Sequence, residues 1–204
     1  MTTHLYLVRH GVPDEAQADA GRLLLDPPLS EEGRELAGIV AERLARSQVD
    51  RIYASPLRRA FETAQPLAQK LGLEVTILDG LAEADAYAKT RTYLKMETLR
   101  RDPTAFSAFL HDPIGFLGAD PEVFLAAVRG AMAKILADTG PGRRAAVFTH
   151  GIPINVVLAD LLGLSRFVHF APDYCSVTWV RGGPDGLAQV VSINDTGHLP
   201  RWRD

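Results

Sequence analysis

The chain has 204 residues, 47% of them hydrophobic and 23% charged, with a formal net charge of -3 and a pI near 6.1. These proportions exclude a disordered chain and an integral membrane protein, and the length suits one compact domain spanning residues 1–204. The acidic balance offers no basic field for non-specific nucleic-acid binding, so a bound anion must meet a local cluster of Arg and His.

Residues 4–8 form a short apolar run that ends in Arg9-His10-Gly11, which predicts a buried strand with those three residues at its carboxyl end. Ser30, followed by Glu31 and Glu32, reads as a helix N-cap with acid in the first turn, and Leu36, Val40 and Leu44 continue one apolar face. Residues 51–54 predict a second strand. Ser55-Pro56 then reads as a capping hydroxyl before a proline at the first helical position, leading into a stripe of Leu57, Ala60, Phe61, Ala64, Leu67, Ala68 and Leu71. Gly72 stops that helix, and residues 74–78 predict a third strand before the Asp79-Gly80 turn.

Residues 84–139 read as a helix-rich insert that sets substrate specificity, broken at Asp102-Pro103, Asp112-Pro113 and Asp120-Pro121. Residues 144–149 predict a strand ending at His150-Gly151, and residues 154–162 a helix closed by Gly163. Residues 175–181 and 187–193 form a predicted hairpin. The alternation implies a three-layer α/β/α sandwich with a mostly parallel central sheet and a helical insert. The single cysteine, Cys175, falls in a strand-like run and reads as a small buried side chain. The N-terminal apolar run is too short for a signal h-region, and no later stretch reaches membrane-spanning length, so the cytoplasm is expected.

Ligands of open α/β sheets settle outside the carboxyl ends of the strands. Those ends carry Arg9 and His10, then Arg58, Glu83 and His150. Two His, two Arg and a carboxylate suit a phosphoryl group, because Arg donates in bidentate fashion to phosphate oxygens and a neutral imidazole can attack phosphorus. His4, His111, His169 and His198 read as structural, with His198 placed to brace a loop, and Arg59 and the Arg100-Arg101 pair as solvated.

Leu7-Val8-Arg9-His10-Gly11 resembles the opening signature of the histidine phosphatase superfamily, which includes the phosphoglycerate mutases. Further blocks resemble the family in order: Pro28-Leu29-Ser30 with Gly33, Ile52 through Ala60 with Thr63-Ala64, Thr149-His150-Gly151, and Asn194-Asp195-Thr196 with His198-Leu199. The resemblance implies that His10 is the nucleophile, that Arg9 and Arg58 bind the phosphoryl group, and that His150 steadies it with Gly151 beside it. It also implies that Glu83 is the proton donor, with Asp85 as the fallback. Relatives carry a phosphate-holding asparagine past the nucleophile; this chain has Ala16 and then Gln17, which becomes the substitute candidate. The implied activity is a phosphatase acting on small phosphorylated substrates, with no cofactor, no metal, and neither nucleic acid nor membrane as partner. A mutase that returns the phosphoryl group and a weakly catalytic phospholigand-binding module are the rival readings, and monomer and dimer both stay open.

Overall fold

The computed structural model describes residues 1–14, 26–89, 96–183 and 185–200, apart from the side chain of Glu97. Gln17 therefore lies outside the described residues. Among the described residues, six strands form one sheet: β1 (Thr3–Arg9), β2 (Arg51–Ala54), β3 (Val75–Ile77), β4 (Arg144–Thr149), β5 (Val177–Gly183) and β6 (Gly186–Asp195). Their spatial order is β3-β2-β4-β1-β5-β6. The pairs β2–β3, β2–β4 and β1–β4 are parallel, while β5 and β6 join antiparallel as the terminal hairpin.

The central strands are apolar on both faces because helices cover both. From β1 and β4, Leu5, Leu7, Ala145 and Val147 face one core with α6 (Pro121–Thr139) and α7 (Gly151–Leu162). Tyr6, Val8, Ala146 and Phe148 face the other with α1 (Glu31–Ala45) and α2 (Arg58–Leu71). Strict alternation along each strand thus feeds two cores, and the three layers follow from it. No described helix is long and apolar enough to cross a membrane.

Most of the longer helices start as the expected chemistry sets them, while α2 and α7 have no capping side chain. Ser30 Oγ accepts from the Gly33 amide at 3.0 Å and donates to the Val12 carbonyl at 3.1 Å. The three Asp-Pro breaks are N-caps with proline in the first turn, opening α4 (Pro103–His111), α5 (Pro113–Phe116) and α6. In α2 the start departs from the reading of Ser55 as its cap. Its N-cap is Leu57, which offers no capping side chain, and Pro56 stays outside the helix. Asp26 supplies the missing acceptors, taking the Arg58 amide on both carboxylate oxygens at 2.7 and 2.9 Å.

The stretch 84–139 divides into two parts. Its last helix, α6, is a layer of the sandwich, with Phe124, Val128 and Ile135 fully buried. A 3₁₀ turn at Ala84–Tyr87, the short helix α3 (Met96–Arg100), α4 and α5 make up the part that stands over the carboxyl ends of the strands. Gly11 and Gly33 bring the β1 end and α1 into contact. A Cβ on Gly11 would sit 2.7 Å from the Gly33 carbonyl oxygen, and one on Gly33 would sit 2.1 Å from that of Val12.

Candidate active site

Ladder register places the two histidines. In the parallel pairing of β1 with β4, Arg9 is level with Thr149, so the next residues, His10 and His150, emerge side by side. Their ring centroids lie 5.0 Å apart, and the His10 amide donates to the Thr149 carbonyl at 3.0 Å. One strand over, Ser55 follows Ala54 of β2 and its hydroxyl meets His150 Nε2 at 2.8 Å. Ser55 is therefore used at the site, and its oxygen also accepts from the Leu57 amide at 3.2 Å.

His10 is held as one tautomer. Its Nδ1 lies 2.8 Å from the Gly11 carbonyl, which can only accept, so Nδ1 carries the proton and Nε2 keeps its lone pair. Arg59 Nε points at that lone pair from 3.4 Å. Burial, then Arg59 and then Arg9 push His10 well below the ordinary histidine range, and burial, Arg59, His10 and Arg9 do the same for His150. Both rings are neutral at neutral pH.

The arginine that reaches the histidines is Arg59, and the expectation for Arg58 is corrected. Arg58 is exposed and pairs with Glu62 one turn on, at 3.1 Å. Arg59 is 1% exposed, lines the cavity, and lies 3.7 Å from Asp26 and 3.9 Å from Asp85. The cause is the helix start. Because α2 begins at Arg58, the polar residues Glu62, Gln65 and Gln69 share its side, whereas Arg59 leads Thr63 and Leu67 on the buried side. Thr63 Oγ1 in turn accepts from the Gly11 amide at 2.9 Å, locking this helix face to the β1 end.

Glu83 stands at the edge of the same group. Thr149 Oγ1 donates to the Leu81 carbonyl at 2.7 Å and holds the turn that carries it. Its carboxylate accepts from the Ala84 amide at 3.1 Å and the Ile152 amide at 3.4 Å. Those bonds and Arg59 favour the ionised form, but desolvation first and Asp85 second outweigh them and raise Glu83 from 4.5 to about 7. Arg9, His10, Arg59, Glu83, Asp85 and Gly151 line one cavity of about 750 Å³. His150, fully buried, packs against His10 and is not part of that described lining. Among the described residues, no group of three or more His, Cys, Asp or Glu side chains could hold a metal ion.

Comparison with known proteins matches this arrangement to a family. The model of the histidine phosphatase superfamily (branch 1) matches residues 5–196. The chain belongs to the histidine phosphatase superfamily. Phosphoserine phosphatase 1 of Hydrogenobacter thermophilus is 30% identical over 96% of this chain and 93% of its own length. A probable phosphoglycerate mutase of Cronobacter sakazakii is 31% identical over 96% and 94%. A solved mycobacterial glucosyl-3-phosphoglycerate phosphatase in complex with VO3 aligns with a TM-score of 0.75 at 27% identity, covering 95% of this chain and 99% of that one.

In this histidine phosphatase, the loop after α7 supplies contacts that motif reading missed. Tyr174 packs on His10 with ring centroids 5.4 Å apart and carries the Arg9 guanidinium 4.0 Å above its ring. Arg9 Nη1 also donates to the Pro172 carbonyl at 2.6 Å. Asn155 of α7 fastens this loop: its Nδ2 donates to the Gly151 and Phe170 carbonyls, and its Oδ1 accepts from the His169 and Phe170 amides. Cys175 lies before β5 at φ 56°, where its amide donates to the Arg9 carbonyl at 2.9 Å. It is fully buried, and that burial pushes its thiol up to about 12. His198 does brace a loop, its Nε2 donating to the Cys175 carbonyl at 3.0 Å while its Nδ1 faces Arg43 at 2.8 Å.

Proposed function

We propose that this member of the histidine phosphatase superfamily hydrolyses small phosphomonoesters through a phosphohistidine on His10 Nε2. The observation that carries the reading is the set of donors around a neutral, single-tautomer nucleophile. Among the described residues, the buried Arg9 Nε and His150 Nδ1 have no hydrogen-bond partner. Buried donors of that kind call for an acceptor, and phosphoryl oxygens supply one.

The steps follow from the geometry. Arg9 and Arg59 bind the equatorial oxygens, where charge persists through transfer. Ser55 already accepts from the Leu57 amide, so its own proton serves His150 Nε2, and His150 Nδ1–H becomes a further donor. The bond between phosphorus and the leaving oxygen breaks as the bond to His10 Nε2 forms, and protonated Glu83 gives its proton to the departing alkoxide. Water then attacks phosphorus, Glu83 takes its proton, and His10 leaves as a neutral imidazole with release of phosphate. We further read the protein as cytoplasmic, acting on a small phosphorylated metabolite with neither nucleic acid nor membrane as partner. The phosphoserine and glucosyl-3-phosphoglycerate phosphatases among its relatives support the hydrolytic reading.

The test is hydrolysis of para-nitrophenyl phosphate in EDTA. Wild type releases nitrophenol, and His10→Ala loses at least about 10³-fold while keeping its fold by circular dichroism. Full activity in the folded His10→Ala protein would sink the assignment.

A further inference from the structure

The phosphoryl end occupies only part of the cavity. A volume of about 750 Å³ falls among sites that enclose drug-sized ligands, roughly 300–1,000 Å³, and is far more than phosphoserine would fill. The wall away from the histidines comes from α3, α4, the turn after α5 and the loop after α7, and its side chains are Met96, Phe106, Leu110, Leu117, Val168 and Phe170. All six are half-buried apolar groups packed against the main core. Phe106 and Leu110 are one turn apart on α4, so they present the same face. Apolar surface gathered inside a concavity gains most when an apolar group covers it.

The polar groups along this wall are largely committed. Asn155 spends both of its amide hydrogens and its oxygen on Gly151, His169 and Phe170. Asp173 accepts from Asn194 Nδ2 at 2.9 Å. Arg100, exposed at the end of α3, and the exposed Asp173 carboxylate are the charged groups in the described lining outside the phosphoryl end. A hydroxyl-rich or zwitterionic leaving group would shed water there without regaining its hydrogen bonds.

Resting on the phosphatase reading, we infer that the preferred substrate is the phosphomonoester of a predominantly apolar alcohol, whose alkyl or aryl body lies against Phe106, Leu110, Leu117 and Phe170. Chemistry at phosphorus is unchanged: His10 Nε2 takes the phosphoryl group, and the alcohol departs with the proton from Glu83.

The test compares kcat/KM for ethyl, n-hexyl and 2-phenylethyl phosphate, all with alkanol leaving groups of similar acidity, alongside phosphoserine and glucose 6-phosphate. The expected result is a rise of at least about tenfold from ethyl to hexyl and to 2-phenylethyl phosphate. Phe106→Asn and, separately, Leu110→Gln should cut the ratio of 2-phenylethyl to ethyl phosphate by about fivefold or more. A flat alkyl series, or a preference for phosphoserine or glucose 6-phosphate, overturns the inference and leaves the phosphatase reading standing. Phosphate release from none of the five overturns both.

Discussion

The floor of the cavity hangs on the carboxyl ends of β1, β2 and β4, whereas its apolar wall is carried by three short helices and a loop. On the floor, position follows from ladder register: Arg9 beside Thr149 makes His10 a neighbour of His150, whatever the surrounding helices do. On the wall, position follows from local caps, each Asp-Pro pair starting its own helix. The sheet therefore fixes the two histidines and Arg9, while α4 and α5 over the leaving-group end start from caps of their own.

Substitutions can break or sharpen that contrast. After loss of the nucleophile, the largest effect is expected at Arg59, where alanine removes a cation from the phosphoryl oxygens and should lower kcat/KM by roughly 10²–10³-fold. Arg58→Ala, one residue away, should change it by less than about threefold, since Arg58 meets solvent and Glu62. Equal losses at the two positions would refute the division between the two sides of α2.

Glu83→Gln comes next, with a loss of about 10²-fold for an alkyl phosphate and much less for para-nitrophenyl phosphate, whose leaving group needs little protonation. Because the free enzyme must hold this proton, wild-type kcat/KM should fall as pH rises through about 7, and the variant should lack that limb. Stability carries the same signature. Glu83 is raised from 4.5 to about 7, so within that window the native state binds the extra proton and stability falls as pH rises. Glu83→Gln should lack this contribution, so its Tm relative to wild type should climb across the window. A constant difference would argue against a buried, proton-holding Glu83.

Among the losses, a more modest effect on rate is expected at Asn155, which ties the wall loop to the helix that follows His150. Alanine leaves several backbone groups unpaired, at a cost of at least about 2 kcal/mol and roughly 4–8 °C in Tm. Its kcat/KM should fall about threefold to tenfold through the displaced Tyr174 and Arg9. Unchanged kinetics at a lowered Tm would show that floor and wall are independent.

Much of this architecture is written in local patterns. The apolar run of β4 and the caps at Ser30, Asp102, Asp112 and Asp120 speak through periodicity and hydrogen-bonding chemistry that a reader of the chain can apply residue by residue. The two histidines were legible for the same reason, because each ends an apolar run. Reading Ser55 as a cap points Arg58 at the site, whereas that hydroxyl serves His150 and α2 starts three residues later. The signal was present in the sequence, since Glu62, Gln65 and Gln69 mark the wet side of α2 and Thr63 and Leu67 the dry one. Tyr174 and Asn155 had no such signal. Tyr174 matters through contacts with β1 some 160 residues earlier, and Asn155 through bonds to a loop 14 and 15 residues on, and no local period records either.

Asn155 also bears on how the protein ages. Its amide is saturated, with two hydrogens given to two carbonyls and one oxygen shared by two backbone N–H groups. Deamidation to aspartate would replace those hydrogens with a charged oxygen facing the Gly151 and Phe170 carbonyls. The loop that carries Tyr174 would then be repelled where it had been fastened, so a single hydrolytic event would loosen the site. The surrounding helix is its protection, because a backbone held in helical hydrogen bonds is slow to bend into the ring through which that damage proceeds.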